Sequence, residues 1–374
     1  MQEEDEDAGH LYLAFSPPRA LHATASTLAS LALLGAGKRV KVARTVASKL
    51  LASLSALHRE QQVHRGIHLQ SVYIRGEGEE VWLADFSVLR ETGASLKFHS
   101  KADDLFAAGC IREFCAPEFF DAGPRSGAPV DVFAVGVLFS LLATADQVHP
   151  FGEHSPGDDI GVFPAAVTEL SKAGTLAKTE IPCREALSRA LPHDFLAQHF
   201  IRQLCHPNPT ARLTVDKARL HPALLSTWDQ LLYVGEIHDI LPPKQNSPLM
   251  LDLEQRIDTA VGGTAVDGHR WGNLFPDPDP LDGTGQRTAR QAEDNGIKNK
   301  TRGYHLLKFA RNNCLGHHGT TVVVNKVFNT DKELAAYFQR SVPWLCATVW
   351  EFAEANHLND ATTIQAFLLA RRRD

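Results

Sequence analysis

Residues 131–145, DVFAVGVLFSLLATA, are apolar at nearly every position after Asp131. A helix that is apolar all round belongs in an interior, so the rest of its domain has to be built around this segment. Asp131 is expected to cap it, because a carboxylate there can accept the unpaired N–H groups of the first turn. The sequence holds no run of about 18 apolar residues, so no membrane span is expected. The nearest approach, residues 21–37, is diluted by Thr, Ser, Gly and His and reads as a partly buried helix.

Around that segment the periodicity is mostly helical. Val42, Val46, Leu50, Leu54 and Leu57 recur at helical spacing within 40–57. Residues 194–204, 214–220, 227–241 and 249–261 read as further helices, and 331–357 as two helices broken near Pro343. Short strands are expected at 11–15, 71–74 and 81–84, the last two around the turn RGEGEE. The fold class is therefore mainly α with a few short strands. A chain of 374 residues suggests two domains, and 44% hydrophobic with 22% charged residues suits a core in each. Composition changes near Pro242, and the Gly-, Pro- and Asp-rich stretch within 262–296 reads as a mobile insertion, bounded at 272–297. Residues 1–10 are acidic and read as disordered, the opposite of a signal peptide. The six cysteines show no CxxC spacing and read as free thiols in a reducing compartment, which makes a cytoplasmic location the expectation.

Short motifs then occur in a fixed order: HRGIHLQS at 64–71, ADFS at 84–87, APE at 116–118, DVFAVG at 131–136 and CHPNPTARLT at 205–214. At these separations they resemble the large, C-terminal lobe of protein kinases. The resemblance implies a buried pair between Glu118 and Arg212, and an Asp131 that supports the catalytic loop. It also implies which chemical groups ought to be present. Phosphoryl transfer takes an aspartate to accept the hydroxyl proton, and an asparagine and an aspartate to hold magnesium. Here Gly66 stands for the catalytic aspartate, His68 for the lysine two residues on, and Ser71 for the asparagine. Asp85 is kept, but Ser87 replaces the following glycine. GAGKR at 35–39 lacks the flanking strand pair of a Gly-rich loop, and no VAIK-type lysine strand is present. The small lobe is read as missing and kinase activity is not expected. Asp85 is the one remnant of a site for ATP or ADP and Mg2+.

The last third carries a different chemistry. KNKTRGYHLLKFARNNCLGHH, residues 298–318, has five Lys/Arg, three His and no Asp or Glu, in a chain of formal net charge -6. Such a stretch attracts phosphate, and histidine moves protons near neutral pH, a combination suited to RNA cleavage. Metal-free cleavage needs a base for the 2′-hydroxyl, an acid for the leaving 5′-oxygen and cations for the phosphorane. Arg311 can clamp a phosphate in bidentate fashion and Asn312 can place an adjacent oxygen.

LLKFARN at 306–312 and YFQRSVPWL at 337–345, placed after a kinase-like lobe, resemble the inositol-requiring stress sensors of the endoplasmic reticulum and their relative RNase L. The resemblance covers about residues 11–357. It implies a degenerate kinase C-lobe over 11–225, an all-helical KEN endoribonuclease domain over 226–360 and a C-terminal tail over 361–374. It implies metal-independent cleavage of RNA to a 2′,3′-cyclic phosphate by a homodimer or larger oligomer, with no cofactor required for that step. A fragment of a full sensor would sit at the cytosolic face of the endoplasmic reticulum. Alternatives are a non-catalytic scaffold and an RNA-binding protein. In the family the catalytic histidine lies five residues after the arginine. Here that offset falls on Gly316, with His317 and His318 just beyond. The family tyrosine position falls on Lys298, which can stabilise phosphorane charge, and the nearby tyrosine is Tyr304. The candidate catalytic set is Arg311, Asn312, His317, His318 and Lys298. Trp344, Phe338 and Trp350 are expected in the core.

Overall fold

The computed structural model describes residues 26–27, 36–75, 80–92, 114–119, 127–144, 149–151, 184–192, 194–242, 247–260, 303–314 and 330–371. The expected features at 1–10, 11–15 and 272–297, together with Lys298, His317, His318, Cys110 and Cys183, lie outside them. Among the described residues the chain is mainly helical with a few short strands.

Two helices make the centre of the first core. Helix α1 (Ala36–Arg59) turns Val42, Val46, Leu50 and Leu54 inward, the stripe its spacing predicts. It lies on α2 (Pro129–Ala143), which is buried along nearly its whole length. Full burial of a Leu or Phe contributes roughly 1.5–3 kcal/mol, and Leu50, Leu51, Leu54, Phe133 and Phe139 are among the largest fully buried side chains of these two helices. The start of α2 corrects one expectation. Asp131 does not cap it: the helix begins at Pro129, the preceding Ala128 makes no side-chain cap, and the Asp131 carboxylate is turned elsewhere. Proline at the first turn loses no hydrogen bond, since that N–H has no helical acceptor.

The short strands among the described residues are β1 (Ser26–Thr27), β2 (Gln62–Val63), β3 (Val72–Arg75), β4 (Glu80–Leu83) and β5 (Arg90–Glu91), of which β2 and β4 lie against α1. β3 and β4 form an antiparallel pair with Val72 opposite Leu83, one residue from the expected strand limits. Val72 and Ile74 point inward while Tyr73 and Arg75 face solvent, the alternation of a half-buried strand. β1 joins the outer side of β3, and β2 pairs with β5.

Helices α3 (Arg184–Ala190), α4 (Phe195–Leu204) and α5 (Val215–Leu220) close the first core. Asp194 and Thr214, just before α4 and α5, accept from Ala197 N and Lys217 N, so both are true caps. Gly136 lets α2 approach α4, because a β-carbon there would meet Cys205 Sγ at 2.5 Å and Leu204 Cβ at 2.7 Å. Cys115, Cys205, Cys314 and Cys346 are free thiols, as expected.

A second core follows, built on α6 (Thr227–Ile240), α7 (Pro248–Ala260), α8 (Gly303–Cys314), α9 (Asp331–Ser341), α10 (Leu345–Ala355) and α11 (Thr362–Ala370). Phe338 and Trp350 are buried in it, and Trp344 packs at its edge, as their spacing predicts. The stretch 361–374, expected as a tail, carries α11, with Ile364 and Leu368 fully buried. Tyr233 is buried on α6 and its hydroxyl donates to Asn359 Oδ1 at 2.8 Å. The two cores meet where His221 packs on Trp350 and Lys217 pairs with Glu354. Among the described residues no helix is long and apolar enough to cross a membrane.

Candidate functional site

The first candidate lies on the loop 64–71 and the turn after β4. Asp131, fully buried, fixes that loop: Oδ2 accepts His64 N at 2.8 Å, Oδ1 accepts Arg65 N at 2.7 Å, and His58 Nε2 lies 2.8 Å from Oδ2. This is the loop support that the motif series implies. Gln61, Arg65 and Asp85 take positive φ, so the chain turns sharply at each. The Arg212 guanidinium grips Glu118 in bidentate fashion, Nη1 to Oε1 at 2.5 Å and Nη2 to Oε2 at 2.7 Å, as expected.

Ser71 and Asp85 are both hydrogen-bonded to near neighbours. Ser71 Oγ accepts His68 N at 2.9 Å and donates to His68 O at 3.1 Å. Asp85 Oδ1 accepts from Ser87 Oγ at 2.7 Å, and Oδ2 faces His68 Nε2 at 3.8 Å, too far for a hydrogen bond. Gln70 N donates to His68 Nδ1 at 3.1 Å, so the neutral ring carries its proton on Nε2. His64 likewise accepts Gly66 N at Nδ1 and faces Ala84 O through Nε2. Burial holds the pKa of both histidines below the usual value. A cation needs a lone pair on each donor. Ser71 is engaged with the backbone as both donor and acceptor and His68 points a proton at the cleft, which leaves Asp85 as the carboxylate there among the described residues. Among the described residues no group of three or more His, Cys, Asp or Glu is placed to hold a metal.

The second candidate is the C-terminal half of α8. Its N-terminus is held by Glu254 of α7, whose carboxylate accepts the Gly303 and Tyr304 amides, a favourable place for negative charge. α8 packs along α6. Arg311 and Asn312 are side by side, Arg311 Nη1 donating to Asn312 Oδ1 at 3.3 Å, with Asn312 buried. The structure therefore brings these two expected residues together; Lys298, His317 and His318 fall outside the described residues.

Sequence reasoning missed what stands opposite. Asp239, at the end of α6, places Oδ1 2.8 Å from Arg311 Nε, an ion contact to which the N–H does not point. The same oxygen lies 3.1 Å from His238 Nδ1. The His238 ring stands 4.8 Å from the Tyr304 ring, tilted 33°. Burial pushes its pKa down; Asp239 opposes that, and Arg311 and Lys308 add to it. The only signal in the sequence was a His-Asp pair at a helix end, which is unremarkable until α8 is laid beside it.

Comparison with known proteins agrees with the first core. The protein kinase domain family matches residues 22–224. Serine/threonine-protein kinase ppk25 of Schizosaccharomyces pombe is 32% identical over 122 residues, 32% of this chain and 25% of that protein. Serine/threonine-protein kinase kin-29 of Caenorhabditis briggsae is 24% identical over 60% of this chain and 24% of that protein. Serine/threonine-protein kinase/endoribonuclease ire-1 of Caenorhabditis elegans is 25% identical over 226 residues, 59% of this chain and 21% of that protein. The chain thus spans a quarter or less of these relatives' own length.

Proposed function

The chain belongs to the protein kinase family, and we propose that it is a metal-independent RNA endonuclease whose kinase lobe is a scaffold without phosphoryl-transfer activity. The observation that carries this is the Arg311–Asn312 pair on a basic helix, held beside a second helix of the same core. On this reading residues 226–360 form a KEN domain, and Arg311 neutralises the phosphorane as the 2′-oxygen attacks. Asn312 places a phosphate oxygen, His317 or His318 moves a proton, and Lys298 adds charge. The products are a 2′,3′-cyclic phosphate and a 5′-hydroxyl. The resemblance to a relative named as a kinase/endoribonuclease supports the reading.

The scaffold role of the lobe has its own support. Gly66 offers no base, Ser71 is bonded to the backbone of His68 and Asp85 to Ser87, so neither proton transfer nor Mg2+-ATP has its usual groups. The lobe would serve to pair two copies and so assemble the RNA site. ATP, ADP and Mg2+ are then not needed for cleavage.

Cleavage of a labelled RNA stem-loop in EDTA, across protein concentration and beside Arg311→Ala and His318→Ala, tests the reading. Cleavage that rises steeply with concentration and is lost in Arg311→Ala is expected. A second reading, a non-catalytic RNA-binding scaffold, is favoured by Gly316 at the family's histidine offset. RNA binding without cleavage at any concentration would establish it.

A further inference from the structure

Between α6 and α8 two buried polar atoms, His238 Nε2 and Arg311 Nε, have no hydrogen-bond partner among the described residues. Buried polar atoms are rarely left so, and two around one carboxylate call for an explanation. Their chemistry is complementary. A carboxylate only accepts, so His238 Nδ1, 3.1 Å from Asp239 Oδ1, carries the ring proton. In the neutral ring Nε2 is then an acceptor, whereas Arg311 Nε is always a donor. An acceptor and a donor on two side chains that both meet the same oxygen of Asp239 suit a ligand that brings a hydroxyl beside an anionic oxygen. A ribose 2′-hydroxyl next to its 3′-phosphate is such a pair, and a deoxyribose is not.

We propose that His238 is the group that takes the 2′-hydroxyl proton of RNA in this centre, held in the working tautomer by Asp239 while Arg311 takes the adjoining phosphate. The proposal rests on the endonuclease reading above and names the base for the 2′-hydroxyl, which that reading does not assign. In the step, Nε2 accepts the 2′-proton and the 2′-oxygen bonds to phosphorus. The bond from phosphorus to the 5′-oxygen breaks, that oxygen leaves with a proton drawn from solvent, and His238 returns its own proton to solvent. The titratable and charged groups facing the ring are Asp239 on its own helix and Tyr304, Lys308 and Arg311 on α8. The two cations and burial keep the ring neutral at neutral pH, the form a base requires. The Tyr304 ring stands beside the imidazole, 4.8 Å away and tilted 33°.

The test compares the full wild-type chain with His238→Ala, His238→Gln and Arg311→Ala on a labelled RNA stem-loop in EDTA, with RNA binding and the thermal unfolding midpoint measured for each. The expected result is cleavage slowed about a hundredfold or more in His238→Ala, RNA still bound, and partial recovery on adding imidazole. His238→Gln, which keeps an N–H for Asp239, is expected to stay folded and equally slow. If Arg311→Ala is inactive while both His238 variants cleave at the wild-type rate, the proposal falls and the Arg311 site stands. Slow cleavage that imidazole does not restore, with lowered midpoints in both variants, marks a packing role and overturns the proposal. A wild-type chain that binds RNA without cutting it removes the endonuclease reading and the proposal with it.

Discussion

Gly66 lies against Val88: a β-carbon at position 66 would stand 2.8 Å from Val88 Cγ2. The position that holds the catalytic aspartate in active kinases is therefore packed for the absence of a side chain. Val88 itself is buried, so it has little room to yield. Gly66→Asp is expected to gain no phosphoryl transfer and to lower stability by about 1–3 kcal/mol, the usual cost of overpacking. Chemical denaturation and an ATP-turnover assay check both halves, and ATP turnover in the variant would contradict the account.

Arg212 has no exposed side-chain surface, and its guanidinium makes five hydrogen bonds, two to the Glu118 carboxylate and one each to His206 O, Pro129 O and Pro207 O. Removing it leaves the Glu118 carboxylate unpaired at the edge of the core. Arg212→Ala is expected to cost about 3–5 kcal/mol. Arg212→Lys is expected to recover only part of that, because one ammonium cannot serve both carboxylate oxygens and the three carbonyls. Equal urea midpoints for wild type and Arg212→Ala would show that the pair is idle.

Acid should destabilise the fold early. His64, His68 and His238 all have folded-state pKa values below 6.5, in each case chiefly through burial. Between the folded and unfolded values the unfolded chain binds more protons, so stability rises with pH there. Their contribution is present above about pH 6.5 and is lost as pH falls through the folded values. His68 adds a geometric reason: a second proton at Nδ1 would face the Gln70 N–H. Urea midpoints measured from about pH 7.5 down to about pH 5.5 are expected to fall. A flat or rising series would contradict the assignment.

The Glu118–Arg212 pair was legible in the sequence because both ends sit in motifs of known order. Asp131 was misread as a cap: cap preference is a local rule, and the amides of His64 and Arg65, far away in the chain, competed for the same carboxylate and won. α11 was missed because its apolar residues, Ile364, Phe367 and Leu368, are too few to set a period without the surface they pack on. Arg311 and Asn312 were legible from charge and motif. His238 and Asp239 were not, since their meaning comes from the contact between α6 and α8, which no local pattern encodes.

Asp85 separates the two candidate sites. Its carboxylate is bonded to Ser87 and faces His68, and its side chain is 43% exposed. Asp85→Ala is expected to leave RNA cleavage within about twofold of wild type, since surface substitutions away from a packed network change little. Loss of cleavage in that variant would instead reveal a nucleotide- or metal-linked switch in the kinase lobe.

On the endonuclease reading Arg311 serves a metal-free attack by the 2′-oxygen, and the end of the cut RNA reports on it. The 5′ fragment of a stem-loop incubated with the chain in EDTA should have the mass of a 2′,3′-cyclic phosphate, and no such fragment should form with Arg311→Ala. A fragment ending in a 3′-hydroxyl, or the same cyclic product from Arg311→Ala, would contradict the account.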